Sequence, residues 1–162
     1  MTDILKGFLL KPGVWSGEFH NFVNQGDGIV QQGRIELKVE LVDENTAIQR
    51  TGFIRPDGSR TGYQGQAKIR VVGNRIENPE PPSTDENTGN PIRDYRFEGF
   101  AGQGHIHILE SYAEVPKDQP PEERRNEIHY CQLDNNQVLM ISSVYVDGQL
   151  LVFARATLQH TP

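Results

Sequence analysis

Strict alternation of apolar and polar side chains is the feature that most constrains the fold of this chain. Between residues 34 and 41, the apolar residues Ile35, Leu37, Val39 and Leu41 alternate with charged ones. Successive side chains of a β-strand point to opposite faces, so this segment is predicted to be a strand with one buried and one solvent-facing side. Similar alternation recurs along the chain and indicates an all-β fold.

Turn signals divide the chain into short strands that follow one another directly. Dipeptides such as Gly73-Asn74 and Asp147-Gly148 favour the tight turns that connect antiparallel neighbours. Strands are predicted at about residues 14–23, 34–41, 47–55, 63–71, 75–77, 92–100, 104–115, 125–133, 137–145 and 149–159. A meander of this kind avoids exposed edges by closing on itself, so we expect an antiparallel up-and-down β-barrel of about eight to ten strands.

An apolar cluster before the first strand predicts a short N-terminal helix. Residues 3–10 carry large apolar side chains at helical spacing, with Thr2 as the N-cap and Pro12-Gly13 as the stop. We expect this helix to close one end of the barrel.

Length and charge exclude several classes of function. With 162 residues, the chain is predicted to form one domain, residues 1–162. The formal net charge is -6, and acidic and basic residues are interspersed, so we expect no nucleic-acid partner. No stretch is apolar enough for a bilayer span or a signal peptide, so we expect no membrane partner and a cytoplasmic location. The lone cysteine, Cys131, permits no internal disulfide.

Two proline-rich segments interrupt the strands. Residues 78–91 contain four prolines and almost no apolar side chain, and residues 116–123 are similarly polar. We interpret the longer segment as a solvated loop on the surface, in preference to a lid over a pocket. The lid is kept as the alternative because long loops in compact domains are often functional.

The direction in which the strand at residues 104–115 faces is ambiguous. One face carries Glu110 and Tyr112 with two isoleucines, and the other carries His105 and His107 with further apolar residues. A bulge would reconcile the two patterns. If Glu110 and a histidine pointed into one apolar cavity, their pKa values would be perturbed and a catalytic role would follow.

Three histidines form the alternative for a metal site. His105 and His107 share one strand face, and His129 falls on the next strand together with Cys131. An H-x-H pair with a third histidine from a neighbouring strand holds a divalent metal in barrel enzymes such as cupins, but Glu110 is one residue short of the usual cupin offset. We favour histidines paired across a solvent-facing ladder. No metal is therefore predicted, and His105, His107 and His129 remain the alternative ligand set.

Two residues near the ends of the chain indicate where the barrel closes. Trp15, the only tryptophan, lies on the first predicted strand, and Arg155 lies on the last. Closing an antiparallel sheet makes its first and last strands neighbours. We therefore predict that the guanidinium of Arg155 lies over the indole of Trp15 as a structural seam.

The Gly13-x-Trp15 motif with a late arginine resembles the calycins, the superfamily of lipocalins, fatty-acid-binding proteins and nitrobindin-like barrels. The resemblance implies a barrel whose interior holds a small molecule. Nitrobindin-like members bind haem through a histidine in the last strand. Residues 150–158 contain no histidine, and His160 is predicted to lie in a frayed tail, so we expect no cofactor.

The residues predicted to face inward indicate what the barrel holds. Aromatic side chains are expected to wall the cavity, namely Phe19, Tyr63, Tyr95, Phe97 and Phe153. Such walls suit a small hydrophobic or aromatic molecule, so the leading hypothesis is a lipocalin-like binding protein. The same residues could instead fill a core without a ligand.

An enzyme in the same cavity is the alternative from another functional class. It would be a cofactor-independent lyase, isomerase or cyclase acting on a lipophilic substrate, with Glu110, Tyr112 or His129 as general acid and base. The sequence has no P-loop, dinucleotide fingerprint or nucleophile elbow, so we favour binding. The identity of the ligand and the oligomeric state are left open, with a homodimer as one alternative.

Overall fold

A computed structural model describes residues 4–24, 29–86 and 88–162, and for residues 29–31 and 61–64 it describes the backbone alone. Within these residues the chain is all-β. Antiparallel strands form a closed barrel of ten strands, and the described helical structure is one short turn near the N-terminus. The predicted fold class is confirmed.

The strands follow one another around the barrel in chain order, and the first pairs with the last. Their bounds are β1 (Gly13–Val23), β2 (Ile29–Asp43), β3 (Thr46–Ile54), β4 (Arg60–Val72), β5 (Arg75–Glu77), β6 (Ile92–Gly102), β7 (His105–Glu114), β8 (Glu122–Asp134), β9 (Gln137–Val146) and β10 (Gln149–Thr161). Several strands extend beyond the alternating segments that predicted them, because ladder hydrogen bonds continue where the apolar pattern stops.

The N-terminal helix is confirmed as a single π-helical turn over Leu5–Leu9. Its apolar residues are completely buried, and the ring of Phe8 packs against Trp15 and Tyr130 with centroid distances of 4.9 and 4.7 Å. The turn therefore fills one end of the barrel. The predicted N-cap, Thr2, lies outside the described residues.

The helical structure in the described residues is too short to cross a bilayer.

Strands β1 and β10 close the barrel, but the predicted stack of Trp15 and Arg155 is wrong. Trp15 lies opposite His160, whereas Arg155 lies opposite His20, five positions away along β10. Trp15 is completely buried, and Arg155 is exposed on the outer face. The two side chains differ both in register and in the face of the sheet they occupy, so they cannot touch.

Gly17 allows β1 and β10 to approach closely at this closure. A Cβ atom at this position would lie 1.8 Å from the carbonyl oxygen of Thr157. Glycine, which has no side chain, therefore stands where the backbone of the neighbouring strand comes nearest.

Apolar side chains from strands all around the barrel form one buried cluster together with the helical turn. Its strand members include Trp15, Leu37, Val39, Ile69, Ile76, Ile106, Val138 and Leu158. The cluster fills the end of the barrel next to the helical turn and leaves a cavity further along the interior.

Candidate functional site

A cavity of about 360 Å³ lies inside the barrel, beyond Tyr130. Tyr130 forms its floor, because the same residue packs against Phe8 of the helical turn and lines the cavity. The walls come from the inward faces of β2 to β4 and of β6 to β8. The apolar wall residues include Leu37, Ile69, Phe97, Ile108 and Ile128.

Strand β7 turns Glu110 and Tyr112 into this cavity and its histidines outward. Ile106 and Ile108, on the same face as Glu110, are buried, and the pairing of β7 with β8 runs without a bulge from His105 to Glu114. The register shift falls instead in β6, between Arg93 and Arg96. The pairing therefore shows that the face of β7 with Glu110 points inward, which the sequence left ambiguous.

Two of the predicted aromatic wall residues, Tyr95 and Phe97, line the cavity together with Glu110 and Tyr112. Phe19 lies elsewhere, packed against Phe53 at a centroid distance of 5.4 Å, where it lines a separate pocket of about 560 Å³.

The prediction for Phe153 is wrong. This side chain is 40% exposed and lies opposite Phe22, which is also exposed. In β10 the buried residues are Ala156 and Leu158, so the alternation of the strand turns Phe153 outward. Tyr63 belongs to β4, but its side chain lies outside the described residues.

A connected set of polar side chains projects into the cavity around Glu110. The hydroxyl of Tyr95 donates a hydrogen bond to Oε2 of Glu110, and Nδ2 of Asn126 donates to Oε1 at 2.9 Å. Nδ2 of Asn78 in turn donates to the Tyr95 hydroxyl at 3.2 Å. A half-buried carboxylate thus sits inside a largely apolar cavity with both of its oxygens paired.

Both phenols at the site are held in the protonated form. Burial, and then the charge of Glu110, raises the pKa of Tyr95 well above its usual range. Burial, followed by the charges of Asp85 and Glu110, raises the pKa of Tyr112 to about 12. The hydroxyl of Tyr112 donates to Oδ2 of Asp85 at 3.3 Å. Near neutral pH the two tyrosines therefore act as hydrogen-bond donors.

The loop at residues 78–91 forms part of the cavity wall. Most of its residues are exposed, as predicted, but Pro82, Thr84, Asp85 and Glu86 line the cavity. The interpretation as a surface excursion alone is therefore wrong, because the loop is exposed to solvent on one side and lines the cavity on the other.

A buried carboxylate anchors this loop. Glu114, only 2% exposed, accepts hydrogen bonds from the hydroxyl of Thr88 at 2.7 Å and from Nδ2 of Asn90 at 2.8 Å. Nε of Arg124 lies 2.7 Å from the other oxygen of Glu114 as an ion pair, although it is not aligned for a hydrogen bond. The loop is thus tied to β7 and β8 at its far end.

His129 does not join Glu110 and Tyr112. It lies opposite His107 in the pairing of β7 with β8, on the outer face of the barrel. The proposed combination of Glu110 with His129 as general acid and base is therefore wrong, since the wall of the barrel separates the two side chains.

The outer face instead brings the three histidines together. The rings of His107 and His129 are nearly parallel with centroids 4.3 Å apart, and Nε2 of His105 lies 2.9 Å from Nδ1 of His129. Oε1 of Glu127 lies 3.1 Å from Nε2 of His107 and 3.3 Å from Nε2 of His129. Burial lowers the pKa of His105, helped by its histidine neighbours. Burial would raise the pKa of Glu127, but its hydrogen bonds with His129 and His107 lower it on balance.

Sequence reasoning missed Asn78, Asp85, Asn126 and Glu127. Asn126 had a readable signal, because it precedes Ile128 and Tyr130 at intervals of two and so shares their inward face. Glu127 likewise shares a face with His129. Asn78 and Asp85 lie in the loop, where no periodicity indicates the direction of a side chain.

His160 lies in β10 and not in a frayed tail, so the last strand does contain a histidine. Its ring packs on Trp15 with a centroid distance of 4.8 Å, and its Nε2 is 2.9 Å from the carbonyl oxygen of Pro12. The helical turn fills the barrel end next to Trp15. The residues around His160 therefore do not fit a haem group.

Comparison with known proteins is informative for the fold. No protein-family model matches the sequence, and no curated protein matches it. Among solved structures, Rv2717c from M. tuberculosis is similar, with 13% identity and a TM-score of 0.57 over 100% of this chain and 99% of that one. A protein of unknown function from the DUF3598 family of Nostoc punctiforme is similar with 13% identity and a TM-score of 0.53 over 93% of this chain. This chain spans about half of the Nostoc protein, 48% of its length, and at these identities the likeness shows the fold alone.

Proposed function

We propose that this protein is a calycin-like barrel that binds a small hydrophobic or aromatic molecule in the cavity around Glu110. The observation that carries the proposal is the combination of an interior cavity of about 360 Å³, apolar and aromatic walls, and one convergent polar cluster. Small-molecule sites have volumes of about 300 to 1,000 Å³ and this distribution of apolar wall and few polar groups.

The polar cluster indicates the chemistry of the ligand. A carboxylate has about four acceptor positions, and Glu110 uses two of them for Tyr95 and Asn126. A ligand hydroxyl or N–H group could take a further position, while its apolar body contacts Phe97 and the isoleucines of β7 and β8. A ligand acid would instead face the negative charge of Glu110, which disfavours it. The proposed ligand is therefore neutral or cationic, with a hydrogen-bond donor at one end.

Binding is favoured over the lyase, isomerase or cyclase alternative. An enzyme of this kind needs a group that exchanges protons readily near the operating pH. The raised pKa values of Tyr95 and Tyr112 make both phenols poor acids, and His129 lies on the other side of the barrel wall. Of the three residues predicted as general acid and base, only Glu110 remains a candidate.

The proposal can be tested by filling the cavity. Ala67 lines it from β4, so Ala67→Phe should occupy the space of the ligand, whereas Ala113→Phe adds the same bulk on the outer face of β7 and serves as the matched control. Binding of neutral aromatic alcohols and of a neutral apolar dye would be measured by calorimetry and fluorescence. We expect saturable binding that Ala67→Phe abolishes and Ala113→Phe preserves. Equal affinity in both variants would contradict a site in this cavity.

Native mass spectrometry of the protein purified from its own source is the complementary experiment. A retained molecule of defined mass, lost in Ala67→Phe, would identify the ligand. A wild-type protein that carries nothing and binds none of the aromatic alcohols would favour a core without a ligand.

A further inference from the structure

We propose that His107, Glu127 and His129 bind a divalent transition-metal ion on the outer face of the barrel, at a site separate from the cavity. These three residues lie on β7 and β8, with His107 directly opposite His129 and Glu127 two positions before His129 on the same face. The site rests on the geometry of this strand pair and not on the proposed ligand of the interior.

The spacing of the donor atoms suits one ion. Oε1 of Glu127 lies 3.1 Å from Nε2 of His107 and 3.3 Å from Nε2 of His129, and the three donor atoms lie within 4.8 Å of one another. In a tetrahedral zinc site with bonds of about 2.0 to 2.1 Å, neighbouring donors are about 3.3 Å apart. Two edges of such a site are therefore already formed. The two imidazole rings are nearly parallel, so one of them must rotate to direct its Nε2 lone pair at the ion and complete the third edge.

The donor set and its exposure suit zinc and similar ions. Two imidazoles and one carboxylate are the ligands that Zn²⁺ takes where it keeps an open position for water. The side chains of His107, Glu127 and His129 are 39%, 30% and 33% exposed, so they are held by the strands yet open to solvent on one side. An ion can therefore enter without any rearrangement of the barrel.

His105 provides the outer contact that metal-bound histidines usually have. Its Nε2 lies 2.9 Å from Nδ1 of His129, the ring nitrogen that does not face Glu127. When Nδ1 of His129 carries the proton and donates a hydrogen bond to Nε2 of His105, Nε2 of His129 keeps its lone pair for the ion. His105 is thus a positioning residue for His129.

Metal binding would be measured by calorimetry with Zn²⁺ and Co²⁺ on tag-free protein stripped with a chelator, and by the visible absorption of tetrahedral Co²⁺. We expect one ion per chain. His107→Asn and Glu127→Gln should each lower the affinity at least about ten-fold, and His105→Asn, by loss of the outer contact, about ten-fold. The visible absorption of bound Co²⁺ should weaken most in His107→Asn and Glu127→Gln, and less in His105→Asn.

Two control variants separate this site from adventitious binding. His20→Asn removes an exposed histidine on the outer face of β1, and Cys131→Ser removes the thiol opposite His105. Both should keep the wild-type affinity and Co²⁺ spectrum. Circular dichroism would verify that every variant is folded.

Absence of saturable binding to the folded wild-type protein would overturn the proposal. Unchanged affinity in both His107→Asn and Glu127→Gln would overturn it as well, as would an equal loss in His20→Asn. A rise of the thermal midpoint with Zn²⁺ that is missing in Glu127→Gln and reversed by chelator would support it independently.

Discussion

Glu110 is the residue whose surroundings best define the proposed site. It accepts hydrogen bonds from Tyr95 and Asn126 inside a cavity whose other walls are mostly apolar. Its negative charge also contributes to the raised pKa values of Tyr95 and Tyr112. Glu110 is therefore the carboxylate that acts on both tyrosines, and Asp85 adds to its effect on Tyr112.

Replacing Glu110 with glutamine should change how the tyrosines titrate. Glu110→Gln keeps the shape of the side chain and removes the charge, so the pKa values of Tyr95 and Tyr112 should fall toward 10, the ordinary value. Ultraviolet titration of the folded protein at alkaline pH would detect this shift. Glu98→Gln, on the exposed side of β6, is the matched control and should leave the titration curve unchanged.

Trp15 and Arg155 should make independent contributions to stability. Trp15→Ala removes a completely buried side chain and should lower the free energy of unfolding by about 3 to 5 kcal/mol. Arg155→Lys alters an exposed side chain and should change it by less than about 0.5 kcal/mol. Urea denaturation of both variants and the double mutant would measure this. A coupling energy above about 0.5 kcal/mol would contradict the separation of the two residues.

The pairing of β1 with β10 closes the barrel, and the backbones of the two strands approach closely at Gly17. Gly17→Ala would force the backbones of the two strands apart at Thr157, and should lower the free energy of unfolding by about 1 to 3 kcal/mol. Gly102→Ala is the control, since nothing lies within 4 Å of the added Cβ atom there. Equal midpoints of urea denaturation for the two variants would show that β1 and β10 do not meet closely at Gly17.

The loop at residues 78–91 contributes to the cavity wall, and Glu114 holds its far end through hydrogen bonds to Thr88 and Asn90. Glu114→Ala removes the acceptor for Thr88 and Asn90 and leaves Arg124 with a weaker set of partners. We expect faster amide hydrogen exchange in the loop and faster exchange of a bound ligand.

Glu122→Ala is the matched control for the loop. Glu122 also contacts Arg124, at 3.3 Å, but its side chain is more exposed, and it has no hydrogen bond to the described residues of the loop. Hydrogen exchange in the loop should stay at the wild-type rate in this variant. Acceleration of the same size in both variants would assign the effect to Arg124 and not to the anchor.

The whole molecule should lose stability at alkaline pH. Burial raises the pKa values of Tyr112 and Tyr130 in the folded protein to about 12, from 10 in the unfolded chain. The unfolded chain therefore loses these protons first, so their contribution to stability is complete below pH 10 and is lost as the pH rises to 12. Urea midpoints should fall across this range, and less steeply in Tyr130→Phe. A midpoint that does not change with pH would contradict this account.

The sequence by itself determined the class of the fold and two aromatic residues of the cavity wall, Tyr95 and Phe97. Alternation is a local property, since each residue in a strand faces opposite to its neighbours whatever the rest of the chain does. The segments around Leu37, Tyr95 and Ile128 could therefore be identified as strands, and Tyr95 could be grouped with Phe97 before any pairing was known. The helical turn was equally readable from its apolar spacing.

Only the tertiary structure decided which face of each strand is inside and which residues lie opposite one another. Register depends on pairing between segments distant in the sequence, and a shift of one residue exchanges the two faces. The pairing of β1 with β10 set Trp15 against His160 and turned Arg155 and Phe153 outward. The pairing of β7 with β8 put Glu110 beside Asn126 in the cavity, and His107 beside His129 on the outer face.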